Sequence, residues 1–149
     1  MAIRIKRAAS SDELQGAFAL RHEVFVEEQS VPQDIEKDSL DDSALQGVAL
    51  EQGGIVGTGR LVIEGDGNGH IGRMAVCRGL RGQGIGAQLL AFLEAEARLR
   101  GARLITLHAQ TYVKGFYASH GYQEEGDIFV EAGIEHILMS KGLGQAASP

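Results

Sequence analysis

The chain has 149 residues, 44% hydrophobic and 23% charged, which suits one folded domain with its own core and excludes two independent ones. A formal net charge of −6 sets the chain as a whole against nucleic acid and anionic membrane, so any polyanion must meet a local basic cluster, for which the arginines from 73 to 81 are the candidates. Cys77 is the only cysteine, which excludes an internal disulfide; with no leader-like apolar run and no span of ~18 apolar residues, the expected location is the cytoplasm.

The chain opens with an alternating strand, Ile3 to Lys6, followed by a helix-start signal in which Ser10 or Ser11 precedes Asp12 and Glu13. The helix carries apolar Leu14, Phe18 and Val24 to Val26, and ends between Gln29 and Pro32. Residues Asp34 to Asp42 are dense in carboxylates and read as a solvated loop. Gln46 to Glu51 and Gly54 to Ile63 form a hairpin around the Gly53-Gly54 pair, and His70 to Val76 is a third long strand. Ile85 to Arg100 repeats its apolar residues at helical spacing and stops at Gly101. Arg103 to Ala109 is a strand parallel to the third, Tyr112 to His120 a short helix, and Phe129 to Glu131 with Glu135 to Ser140 a final hairpin. The tail from Gly142 to Pro149 reads as frayed. The sum is an α/β (α+β) domain over 1–149: a mixed, mostly antiparallel sheet of six or seven strands with helices on both faces.

Arg78 to Gly86 joins the third strand to the best helix. Its glycines let an anion approach the first N–H groups of that helix at the positive end of the dipole, and Arg78 and Arg81 add charge. Three other readings compete. The glycines also suit a tight turn that only brings helix and sheet together. Gly82, Gly84 and Ala87 match G-x-G-x-x-G/A, but no acidic residue ends the next strand to hold a ribose. A P-loop is excluded because no Lys-Ser/Thr follows the glycines.

Arg81-x-x-Gly84-x-Gly86 after Met74-Ala75-Val76, then Gln110, then Phe116-Tyr117 and Gly121-Tyr122, resembles the GNAT superfamily of N-acetyltransferases across most of the chain. Val24 to Gln29 with Val31-Pro32, Gly54 to Thr58, Ile71-Gly72-Arg73, His108-Ala109-Gln110 and Gly133 to His136 are similar to its ElaA-like and YjcF-like branch. Gln46 and Glu135 depart from the branch pattern, where relatives often carry His and Pro, which touches acceptor choice rather than the cofactor motif. The resemblance implies acetyl-CoA as cosubstrate: Met74, Ala75 and Val76 along the pantetheine arm, Arg81, Gly82, Gln83, Gly84, Ile85 and Gly86 around the pyrophosphate, and Gln110 at the next strand end. It also implies Tyr117 as the acid that protonates the leaving thiolate and the Val76 N–H as oxyanion donor.

Direct transfer to an amine also needs a proton acceptor, for which Glu28, His108 and His136 are the candidates, with ordered water as the alternative. Cys77 raises an acetyl-cysteine route, and the acidic stretch raises attraction of a cationic amine. The five histidines show no metal-ligand spacing, so no metal is expected. The expected partner is a small-molecule or peptide amine, without nucleic acid or membrane, and a homodimer is left open. The alternative function is a non-catalytic acyl-CoA binder or sensor.

Overall fold

The structure, a computed structural model, describes residues 2–144. Strand β1 (Arg4–Arg7) leads into helix α1 (Ser11–Arg21). Ser10 caps α1: its hydroxyl accepts the Glu13 N–H, while the Glu13 carboxylate accepts the Ser10 N–H and a 2.7 Å contact from Lys6. The expected helix does not stay α-helical. It continues as a π-helical segment, His22–Glu28, whose wider turn sends Val24, Phe25 and Glu28 towards the middle of the molecule.

Hairpin strands β2 (Leu45–Glu51) and β3 (Gly54–Ile63) turn at Gln52 and Gly53, where φ is +50° and +82°. The left-handed pair is therefore one residue earlier than Gly53-Gly54, and Gly54 already belongs to the strand. Strand β4 (Gly69–Val76), helix α3 (Ile85–Leu99) and strand β5 (Leu104–Gln110) form the one parallel crossover. A short helix α4 (Lys114–Ser119) precedes β6 (Gln123–Glu131) and β7 (Ile134–Gly142), so the last hairpin is longer than its apolar residues alone suggest. The seven strands lie in the order β1-β2-β3-β4-β5-β7-β6.

On one face α3 buries Ile85, Leu89, Leu90, Leu93 and Ala97. It sits close because β3 presents glycines beneath it: a Cβ on Gly57 would stand 2.9 Å from a Leu89 methyl, and one on Gly59 2.8 Å from a Leu93 methyl. The tail expectation needs correction at its start. Leu143 is buried and its N–H donates to the Arg103 carbonyl, because it closes the end of this core; residues 145–149 lie outside the described part.

The acidic stretch is also corrected, since it is not a solvated loop. Gln33–Glu36 forms a short helix, α2, and Ser39–Asp42 a 3-10 turn, and both fold onto buried guanidinium groups. Fully buried Arg21 binds Glu36 at 2.8 Å and Asp41 at 2.7 Å; Arg60 binds Asp38 at 2.7 Å, and Arg73 binds Asp38 at 3.2 Å. Buried cations require such partners, and here they come from positions 15 to 35 residues away.

The sheet is split at its centre. Between Thr58 and Arg60 of β3 the facing strand advances from Ala75 to Gly72, so β4 holds one extra residue, and Arg73 takes a φ of +52° there. This bulge bends β4, and its parallel pairing with β5 is confined to Gly69 and His70 with Ile105 and Thr106. Beyond it the C-terminal halves of the two strands diverge into a cleft.

Candidate active site

The cleft follows from strand geometry. The Cys77 N–H bonds the Val56 carbonyl of the hairpin neighbour, and Val76 is paired opposite Gly57. Main-chain groups alternate sides along a strand, so the N–H groups of Val76 and of Met74 point the other way, into the gap beside β5. Two cavities meet there. One, of about 480 Å³, runs between Met74 to Val76, the turn Arg81 to Gly86, and Phe116-Tyr117. The other, of about 430 Å³, holds Phe25, Glu28, Gln29, His108, Gln110 and Tyr112, and shares Met74, Ala75, Val76, Arg81 and Tyr117 with the first.

The turn is a bare backbone cradle. Gly82 and Gly84 have φ of +79° and +87°, and a Cβ on either would point into open space, so conformation rather than crowding demands glycine. Gly84 is the N-cap of α3, and among the described residues no side chain caps that end. Its first N–H groups are thus available to an anion, which fits the pyrophosphate of coenzyme A. Gln83 points away, into a separate groove with Ile3, Glu51 and Gln88.

The arginines divide. Arg73 has left for the acidic segment, so the basic cluster expected over 73 to 81 is reduced to Arg78 and Arg81. The Arg81 guanidinium donates to the Val76 carbonyl and clamps both oxygens of Glu28, at 2.9 and 3.0 Å, with Arg78 at 3.7 Å from the same carboxylate. The hydrogen bond from Arg81 holds the Glu28 carboxyl below the ordinary range. Of the base candidates, Glu28 therefore lines the cleft as a salt-bridged carboxylate.

Tyr117 is half-buried where the cavities join, and its hydroxyl has no hydrogen-bond partner among the described residues. Burial pushes it up to about 12, so it keeps its proton through the neutral range. Its neighbour Tyr122 is the contrast: buried in the core, it donates to Glu94 at 2.8 Å, and Glu94 is also held by Lys141. Of these two tyrosines, Tyr117 alone retains an uncommitted proton.

The two histidine candidates separate. His108 lines the cleft, with Nδ1 2.8 Å from the Glu131 carboxylate. His136 is buried, its Nδ1 2.7 Å from the Ile134 carbonyl, and it faces a different cavity with Phe25, Val31 and Ile35. Gln110 donates to Gln29 at 2.9 Å, a bridge across the cleft in which Tyr112 also takes part at 3.2 Å. Cys77 is partly buried and packs against the buried Leu20, Val24 and Ala75. No group of histidines, cysteines and carboxylates among the described residues is arranged to hold a metal. Sequence reasoning missed Tyr112, which lines the cleft, and Glu131, which faces the His136 cavity and reaches the cleft only through its bond to His108.

Known proteins share this sequence pattern and this fold. The acetyltransferase (GNAT) domain family matches residues 6–143. The chain belongs to the GNAT acetyltransferase family. YjcF of Bacillus subtilis (strain 168), named an uncharacterized N-acetyltransferase, is 37% identical over 90% of this chain and 96% of its own. A crystal structure from Lactobacillus plantarum superposes on this GNAT domain with a TM-score of 0.88 at 32% identity, covering 96% of this chain and 99% of that one. Escherichia coli ElaA gives 0.82 at 28%, covering 94% and 99%. The same GNAT fold, at 17% identity and a TM-score of 0.77, is found in an aminoglycoside 6′-N-acetyltransferase complexed with coenzyme A, over 99% of this chain and 100% of that one. No helix among the described residues of this GNAT domain is long and apolar enough to cross a membrane.

Proposed function

We propose that this chain is an acetyl-CoA-dependent N-acetyltransferase that moves the acetyl group to a primary amine by direct attack in a ternary complex. The observation that carries this reading is the Tyr117 hydroxyl, protonated and unpartnered, at the junction of two cavities whose shared wall is Met74 to Val76. The glycine cradle at the N-terminus of α3 holds the pyrophosphate, and the diverging edge of β4 receives the pantetheine arm. Acetyl-CoA supplies an activated thioester. The Val76 N–H polarises its carbonyl, and Tyr117 gives its proton to the departing sulfur.

The second cavity receives the amine of a small molecule or peptide in the cytoplasm, with no nucleic acid or membrane involved. Acetyl-cysteine chemistry is disfavoured because Cys77 packs against Leu20, Val24 and Ala75 and contributes to neither cavity lining.

The test is thiol release from acetyl-CoA over a panel of primary amines, beside calorimetric titration with CoA and with NAD. CoA binding with amine-dependent thiol release supports the enzyme. CoA binding without release from any amine supports an acyl-CoA sensor, and binding of NAD alone returns the glycine turn to the dinucleotide reading.

A further inference from the structure

Tyr117 supplies one proton, but the attacking amine must lose another, and the cleft contains a pair of residues built to take it. His108 stands at the exposed end of β5, and strand alternation puts it on the face away from α3. Its ring is gripped on two sides, with His70 edge-on at a centroid distance of 4.9 Å and Phe129 edge-on at 5.1 Å. Glu131, at the end of β6, reaches across the hairpin and sets a carboxylate oxygen 2.8 Å from Nδ1. That bond places the neutral ring's proton on Nδ1, so the lone pair is left on Nε2 of a side chain that lines the same cavity as Tyr117 and Val76.

The two other candidates lack this arrangement. Glu28 is neutralised by Arg81, and His136 faces the cavity on the far side of Phe129.

We propose that His108 is the general base of this acetyl transfer and that Glu131 is its positioning residue. The proposal rests on the acetyltransferase reading above. In the step the amine nitrogen bonds the acetyl carbon and the carbon–sulfur bond breaks; the amine proton passes to His108 Nε2, and the sulfur takes the Tyr117 proton. Water then exchanges the proton off His108 and back to Tyr117.

The groups that bear on His108 come from several elements. His70 and Arg73 stand on β4, Glu131 on β6 and His136 on β7, while Glu28, Arg78, Arg81, Tyr112 and Tyr117 share its cavity. Among the described residues Glu131 is the carboxylate in direct contact with the ring, and no arginine there claims it, which makes its removal the informative change.

The experiment measures kcat and kcat/KM against pH, using acetyl-CoA with primary alkylamines and arylalkylamines as probes, for the wild-type chain, His108→Ala, Glu131→Gln and the double variant. Imidazole ¹⁵N NMR of the wild type and Glu131→Gln is recorded alongside. The expected result is a loss of roughly 10²-fold in kcat for His108→Ala with KM for acetyl-CoA unchanged. Glu131→Gln gives a smaller loss in kcat, because the ring is no longer held with its proton on Nδ1 and Nε2 turned to the amine. The double variant matches His108→Ala alone.

Turnover and an acid limb unchanged in His108→Ala overturn the proposal while leaving the acetyltransferase intact. So does an NMR spectrum in which wild-type His108 carries its neutral-state proton on Nε2. If the wild type releases thiol with none of the amines, the parent reading is overturned instead, and the tautomer still decides whether Glu131 sets the ring.

Discussion

Two polar clusters flank the same sheet and differ in how much of their bonding capacity is already used. In the first, Arg21, Arg60 and Arg73 face Glu36, Asp38 and Asp41, charge against charge, and the donors and acceptors are consumed internally. In the second, around the cleft, the Tyr117 hydroxyl and the Val76 N–H are left unused, and α3 begins without a side-chain cap. The first cluster acts as a fastener and the second as a receiver. A self-satisfied network has nothing to offer a substrate, whereas a group kept unpaired at the rim of a cavity costs stability and is therefore available for chemistry.

Breaking the fastener gives the largest effect. Asp41→Asn leaves the buried guanidinium of Arg21 and the nearby Arg60 short of an anion, and should lower unfolding free energy by about 3–5 kcal/mol in urea titrations. If the segment 34–42 were merely solvated, the midpoint would hardly move. Next comes the receiver. Tyr117→Phe should reduce kcat by roughly 10²-fold, with CoA affinity and the urea midpoint near wild type, since the hydroxyl has no described protein partner to lose. Loss of folding in that variant, with no specific loss of turnover, would make Tyr117 a fastener as well.

Gly84→Ala forces a side chain into φ of +87°, at a strain of roughly 1–2 kcal/mol at the cap of α3. Calorimetry should show CoA binding weakened roughly tenfold, with acceptor KM little changed.

The smallest effect sits between the clusters. Burial pushes His70 down to about 4, so between its ordinary value of 6.5 and about 4 the unfolded chain binds more protons than the folded one. Stability is therefore fully present above pH 6.5 and falls as the pH drops towards 4. His70→Gln should flatten the decline in urea midpoint between pH 7 and pH 5; an equally steep decline would place the acid sensitivity elsewhere.

Much of the receiver was legible in the sequence because its parts are local. Gly82, Gly84 and Gly86 fall at alternate positions where one short turn enters α3, and the strand before it and the helix after it announce themselves by alternation and by a 3.6-residue period. Phe116-Tyr117 and Gln110 lie one strand further along. The fastener was not legible. Five carboxylates within Asp34 to Asp42 look solvated when the guanidinium groups that bury two of them sit on α1, β3 and β4.

The sequence by itself determined the order of the strands and of the longer helices and the glycine turn, since backbone freedom and hydrophobic period are properties of neighbouring residues. The tertiary structure alone decided that β4 bulges at Arg73 and opens the cleft, that Arg81 neutralises Glu28, and that Glu131 meets His108. The last two join groups 53 and 23 residues apart within hydrogen-bond distance, and the bulge depends on the pairing of β4 with β3; no local pattern encodes such meetings.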